Sequence, residues 1–200
     1  MNISLTRFLD FVNSNGLAKK AIVEKTMVPE NYEPYKDFYK NLREAIISLH
    51  KEGASVDTLP ARVPWTNEIK KKHYNELISG YQKWCKNKKI VFLESQSYIF
   101  DLEGISLSIN PELIVNINNK PTVIKLYFKQ PKLEKNSADI IITLLSMAFG
   151  SYDEKYSNFD FAVLDIRHSR LFRITATTPI QDLMKILPVE AASWLSYQSI

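Results

Sequence analysis

Hydrophobic positions recur every three or four residues through the first third of the chain and give way to short alternating or β-branched runs after residue 89. Residues 34–52 place Tyr35, Phe38, Leu42, Ile46 and Leu49 on one side, which predicts an amphipathic helix. Pro34 suits its first turn, where the missing N–H has no intrahelical acceptor to lose, and Gly53 suits a left-handed stop. Residues 2–15 predict a shorter helix with Leu5, Phe8, Leu9 and Val12 on one face, closed by Asn15-Gly16. The stretch 54–65 holds two prolines and no period, so it reads as a connecting loop. A long helix is predicted over 66–89, with Thr66 as N-cap, Glu68 in the first turn, and Ile69, Tyr74, Leu77, Ile78, Tyr81, Trp84 and Cys85 as its apolar stripe.

Beyond residue 89, KIVFLE, SYIFDL, ISLSI, ELIVNIN and TVIKLYF predict strands, and the closely spaced turns at Glu103-Gly104, Asn110-Pro111 and 118–121 favour antiparallel hairpins. Residues 137–149, opened by Ser137 and stopped by Gly150, are too apolar for an exposed helix and predict one lying flat on the sheet. FDFAVLDI and RLFRITA flank the turn Arg167-His168-Ser169 as a second hairpin, Thr178-Pro179 starts a helix that Pro188 interrupts, and 189–198 forms a last helix around Ala192, Trp194 and Leu195. The expected architecture is α/β or α+β, one domain over 1–200: a mainly helical region to residue 88, a sheet core over 89–176, and C-terminal helices over 177–200.

Composition narrows the chemistry. With 200 residues, 45% hydrophobic and 12% aromatic, the chain can bury one sizeable core. The single thiol, Cys85, cannot form an intramolecular disulfide and is too little for a thiolate zinc site, which fits a reducing, cytoplasmic compartment. Arg7 and Asp10 interrupt the N-terminal apolar stretch, so it does not read as a signal peptide. Five dispersed glycines exclude a nucleotide-binding fingerprint, His50, His73 and His168 lack zinc-ligand spacing, and no GxSxG is present. Cys85 on an apolar stripe reads as a buried inert thiol, and Asp165, Arg167 and His168 read as an ordinary polar hairpin turn. The net charge of +4 permits a polyanionic partner, and residues 66–89 concentrate seven lysines (70, 71, 72, 83, 86, 88 and 89) against Glu68 and Glu76. That face suits either phosphate contact or plain solvation.

The stretch 104–130, GISLSINPELIVNINNKPTVIKLYFKQ, lays out a strand, a Pro-acid pair heading a second strand, a turn, and a third strand with alternating lysine and aromatic residues. This arrangement resembles the core of the PD-(D/E)XK nuclease superfamily, particularly its RecB-like and lambda-exonuclease-like branch, over about residues 34–176. In that resemblance, Asn110-Pro111-Glu112-Leu113-Ile114 matches the segment supplying one carboxylate, and Val123-Ile124-Lys125-Leu126-Tyr127 falls where (D/E)-x-K is expected. The helix 137–149 matches the helix after the catalytic strand, and His50 before Glu52-Gly53 is similar to a histidine ending an upstream helix.

The resemblance implies a restriction-endonuclease-like mixed sheet flanked by helices and a magnesium ion held by carboxylates beside the scissile phosphate. The chain departs from it at the decisive position: Lys125 replaces the second acid and Tyr127 the lysine, leaving Glu112 able to pair with Lys125. The leading expectation is therefore a catalytically degenerate nuclease-like protein without a metal, which binds DNA, another nucleic acid or a protein partner. Its contact residues would be Lys70, Lys71, Lys72, Lys125 and Lys129, the last two bracketing Tyr127 on one strand face. The alternatives are a magnesium-dependent nuclease in which Asp101 or Glu103 joins Glu112, and an interaction subunit presenting Tyr32, Tyr35, Phe38 and Tyr39.

Overall fold

The computed structural model describes residues 2–28, 38–64 and 68–199. Its strands are β1 (Asn2–Ser4), β2 (Ile90–Glu94), β3 (Tyr98–Leu102), β4 (Ile105–Ile109), β5 (Leu113–Ile117), β6 (Lys120–Tyr127), β7 (Asp160–Asp165) and β8 (Arg170–Arg173). Its helices are α1 (Leu5–Val12), α2 (Gly16–Met27), α3 (Lys40–Lys51), α4 (Leu59–Arg62), α5 (Glu68–Cys85), α6 (Lys135–Tyr152) and α7 (Ile180–Gln198). The fold is mixed α/β, with a five-stranded sheet in the order β2-β5-β6-β7-β8 and a three-stranded sheet in the order β1-β4-β3.

In the larger sheet, β2, β5 and β6 are antiparallel neighbours and β7 lies parallel to β6 after the α6 crossover. The apolar runs of β5 and β6 bury both faces, as a central strand must. Leu113, Val115, Ile124, Leu126 and Leu164 meet α3, α4 and α5 on one side. Ile114, Val123 and Val163 meet α6, α1, α7 and the smaller sheet on the other, around Phe8, Phe11, Phe149 and Trp194. The two-residue turns Asn118-Asn119 and Glu103-Gly104 have positive φ at both positions, which gives each hairpin the twist its strands need. At Gly80, α5 touches the turn after β7 so closely that a Cβ would lie 2.1 Å from the Ile166 carbonyl oxygen.

Five expectations need correction. The stretch 54–65, expected as a loop, contains α4, whose Leu59 is fully buried. Residues 2–4 form a strand, because parallel pairing with Ser106–Ser108 satisfies their backbone before α1 begins with Ser4 as its N-cap. The hairpin over 98–109 leaves the main sheet and builds the smaller one, closing over α6 and α7. Residues 16–27, where no helix is expected, form α2, whose apolar positions follow no helical period and of which Val23 alone is fully buried. The C-terminal segment is one helix through Pro188, with Leu187, Ala191 and Trp194 anchored in the core on both sides of the proline. The buried helix over 137–149 lies on the sheet as expected, but extends over Lys135–Tyr152. Thr66, the expected N-cap of α5, and Pro34, Tyr32 and Tyr35 lie outside the described residues.

Candidate functional site

Antiparallel register creates the central pair. Leu113 faces Ile124 across β5 and β6, and the Glu112 N–H donates to the Ile124 carbonyl, so Glu112 and Lys125 fall side by side on the face opposite Leu113. The Lys125 ammonium lies 2.6 Å from one Glu112 oxygen and donates to the Asn110 carbonyl at 2.8 Å. The other Glu112 oxygen accepts the Leu126 N–H at 2.7 Å. Both side chains are withdrawn from water, with 16% of Lys125 and 6% of Glu112 exposed, so each charge depends on the other for compensation.

The same strand face continues to Tyr127 and Lys129, as alternation predicts. It is only partly open to water: Lys129, 41% exposed, donates to both Asp10 oxygens, at 2.8 and 3.0 Å, and Tyr127 packs against the core. Burial, followed by the nearby Asp165 and Asp10 carboxylates, raises the Tyr127 pKa, so its hydroxyl keeps its proton. Around this strand end, Thr6, Tyr39, Arg43, Glu112 and residues 125–129 bound a cavity of about 200 Å³. Asp10, Arg43 and Phe128 of this region carry no motif. Asp10 gave no usable signal either: its carboxylate stays 46% exposed, so the helical pattern did not require a cation beside it.

These residues do not fit the magnesium ion that the nuclease resemblance implies. Such an ion takes several oxygen donors, and here an ammonium sits against Glu112, repelling a cation, while the second carboxylate oxygen already holds a backbone N–H. Asp101 and Glu103 are not brought to it. Asp101 caps the Gly104 N–H at the tip of the β3–β4 hairpin, whereas Glu112 shares a cavity with Ser95–Ser97 at the opposite end, about 10 Å away along the strand. Among the described residues no three His, Cys, Asp or Glu side chains converge as metal ligands. His50 is also remote: it lies seven residues, about 10 Å, along α3 from Arg43 and lines another cavity with Cys85 and Ile90. Its Nε2 meets the Tyr81 hydroxyl at 2.5 Å, and burial lowers its pKa to about 4. Burial likewise raises the Cys85 thiol to about 12, which makes it inert at neutral pH. Asp165, read as part of a polar turn, is fully buried and ties two loops together, accepting the Leu133 N–H at 3.0 Å and meeting His168 Nδ1 at 2.8 Å.

The lysine-rich helix divides into two populations. The Lys70 ammonium sits 5.5 Å over the Phe38 ring, and Lys88 donates to the Trp84 carbonyl. Lys71 is partly buried, while Lys72 and Lys83 are exposed on α5, and Lys86 and Lys89 just beyond it, with no ion pair among the described residues. Lys72 and Lys83, eleven residues apart, share one face. Phe38 and Tyr39, expected as a partner surface, are used internally: Tyr39 stacks on Phe128 at 5.3 Å, and Phe38 packs edge-on against Tyr74 at 5.8 Å.

Among the described residues no helix is long and apolar enough to cross a membrane. No protein-family model matches the chain, and none of the curated proteins matches it in sequence.

Proposed function

We propose that this protein is a non-hydrolytic nucleic-acid binder built on a scaffold similar to the PD-(D/E)XK nucleases. The observation that carries the reading is the Lys125 ammonium, 2.6 Å from Glu112, at the position where a hydrolytic relative would place its second metal-binding oxygen. The supporting layout is Glu112 at the head of β5, Lys125 within β6, and a long helix following that strand. Binding draws on the exposed lysines at 72, 83, 86 and 89, because Lys125 and Lys129 already compensate Glu112 and Asp10. Phosphate contact by these lysines releases condensed counterions, so affinity must fall with salt. Fluorescence anisotropy with labelled oligonucleotides tests this. The combined substitution Lys72→Glu, Lys83→Glu, Lys86→Glu is expected to weaken binding at least tenfold and flatten its salt dependence; salt-independent binding, or none by the parent protein, refutes the reading.

A second reading, a protein-binding subunit, is favoured by Ile186 and Val189, which are 48% and 68% exposed on one side of α7. Stable co-purification of a defined protein without nucleic acid, abolished by Val189→Asp, would support it over the first.

A further inference from the structure

The five-stranded sheet ends in two edge strands of different character. β8 begins and ends on arginine, and charged side chains on an edge keep other strands away. β2 instead carries four consecutive apolar residues, Ile90-Val91-Phe92-Leu93, with Val91 47% and Leu93 44% exposed. Among the described residues no strand pairs with its outer side.

Register decides which backbone groups of β2 face outward. The Asn118 N–H donates to the Lys89 carbonyl, so Lys89 and, by alternation, Val91 bond inward to β5, while Ile90 and Phe92 turn their N–H and C=O groups to the open side. Pro121 agrees with this assignment: it stands opposite Asn116 in β6 and has no N–H to donate, which suits an Asn116 whose backbone is bonded to Val91 on the other side. The register shift between Phe92 and Glu94 ends the regular edge there. A strand added to β2 therefore has Ile90 and Phe92 to bond with, and the pairing centres on Val91.

Charges at the two ends of β2 select its occupant. Lys86, Lys88 and Lys89 precede the strand, and Glu94 ends it beside Lys155, whose neighbours Asp153 and Glu154 leave that end net acidic. A second β2 running antiparallel sets each basic end against an acidic one, whereas a parallel one sets lysine against lysine. We propose that β2 is a self-pairing edge, through which two copies of this chain associate about a two-fold axis at Val91. Ile90 of one copy exchanges both main-chain hydrogen bonds with Phe92 of the other, and the symmetry repeats the exchange. The two Val91 side chains form the non-hydrogen-bonded pair, where side chains approach most closely, and the aliphatic stem of Lys89 covers Leu93 of the second copy. The paired segment is short, so the association is of the weak, reversible class. It is independent of nucleic-acid binding.

Sedimentation equilibrium of the full chain over about 1 µM to 1 mM tests the pairing, with urea midpoints checking that each variant folds as the parent does. The parent is expected to approach twice the mass of one chain as concentration rises. Val91→Lys and Val91→Glu each place like charges at the axis and are expected to raise the dissociation constant about tenfold or more. An equimolar mixture of the two variants is expected to recover association as a one-to-one pair, because opposite charges then meet. Val189→Asp, on α7, is expected to leave association unchanged. A parent that stays monomeric throughout the range, association that persists in both Val91 variants, or a mixture no tighter than either variant alone would overturn the proposal. Association lost in Val189→Asp but kept in Val91→Lys would overturn it as well, moving the contact to α7.

Discussion

Replacing Lys125 by Met removes the ammonium while keeping a side chain of similar length in the strand. Glu112 then retains only the Leu126 N–H at 2.7 Å, in a position where 6% of its side chain reaches water. Breaking a buried pair by removing one partner costs about 3–5 kcal/mol, because an uncompensated charge is left behind. Glu112→Gln strands the ammonium instead, but Lys125 keeps the Asn110 carbonyl and is 16% exposed, so the loss should lie at the lower end of that range. The double variant leaves no buried charge and should be within about 1–2 kcal/mol of the parent protein, giving a coupling energy of about 4–7 kcal/mol. Urea denaturation at neutral pH of the four proteins supplies the cycle. Additive losses, with coupling below about 0.5 kcal/mol, would refute the reasoning, since they would mean that the two charges are separately solvated.

Gly80→Ala is expected to destabilise despite a gain of about 1 kcal/mol in helix propensity, because the new Cβ would stand 2.1 Å from the Ile166 carbonyl and force α5 off the sheet. A urea midpoint lower by the equivalent of about 2 kcal/mol is expected, and an unchanged midpoint would contradict the packing. His50 carries a pH dependence whose sign follows from burial: its pKa falls from 6.5 to about 4, so the unfolded chain binds the extra proton between those values. Its contribution is complete above pH 6.5 and is lost on acidification toward pH 4, by about 3 kcal/mol in total. His50→Gln should flatten stability against pH in that window, and an unchanged slope would show that His50 is not the group responsible.

The strands after residue 89 were legible because their alternation and turn residues are local signals, as was the apolar stripe of α5, whose described members all reach the core. What local pattern could not show was partner choice. The three residues of β1 carry no periodicity, and their strand state comes from pairing with β4, about a hundred positions away. Pro188 is a genuine local stop signal, overruled because Leu187, Ala191 and Trp194 are buried on either side of it. At the site, the Glu112–Lys125 contact was readable because both sit at matching positions around a two-residue turn. Asp10 was not, since its lysine lies 119 residues away, and neither was the burial of Asp165, which depends on the loop at Leu133.

The central claim is that an ammonium occupies the place of a metal-binding oxygen. The most direct measurement is cleavage of supercoiled plasmid and linear DNA by purified protein with magnesium or manganese, run beside Glu112→Ala and a chelator control. The account predicts intact DNA in every lane at concentrations where the parent protein binds it. Degradation by the parent that disappears with chelator and with Glu112→Ala would contradict the account.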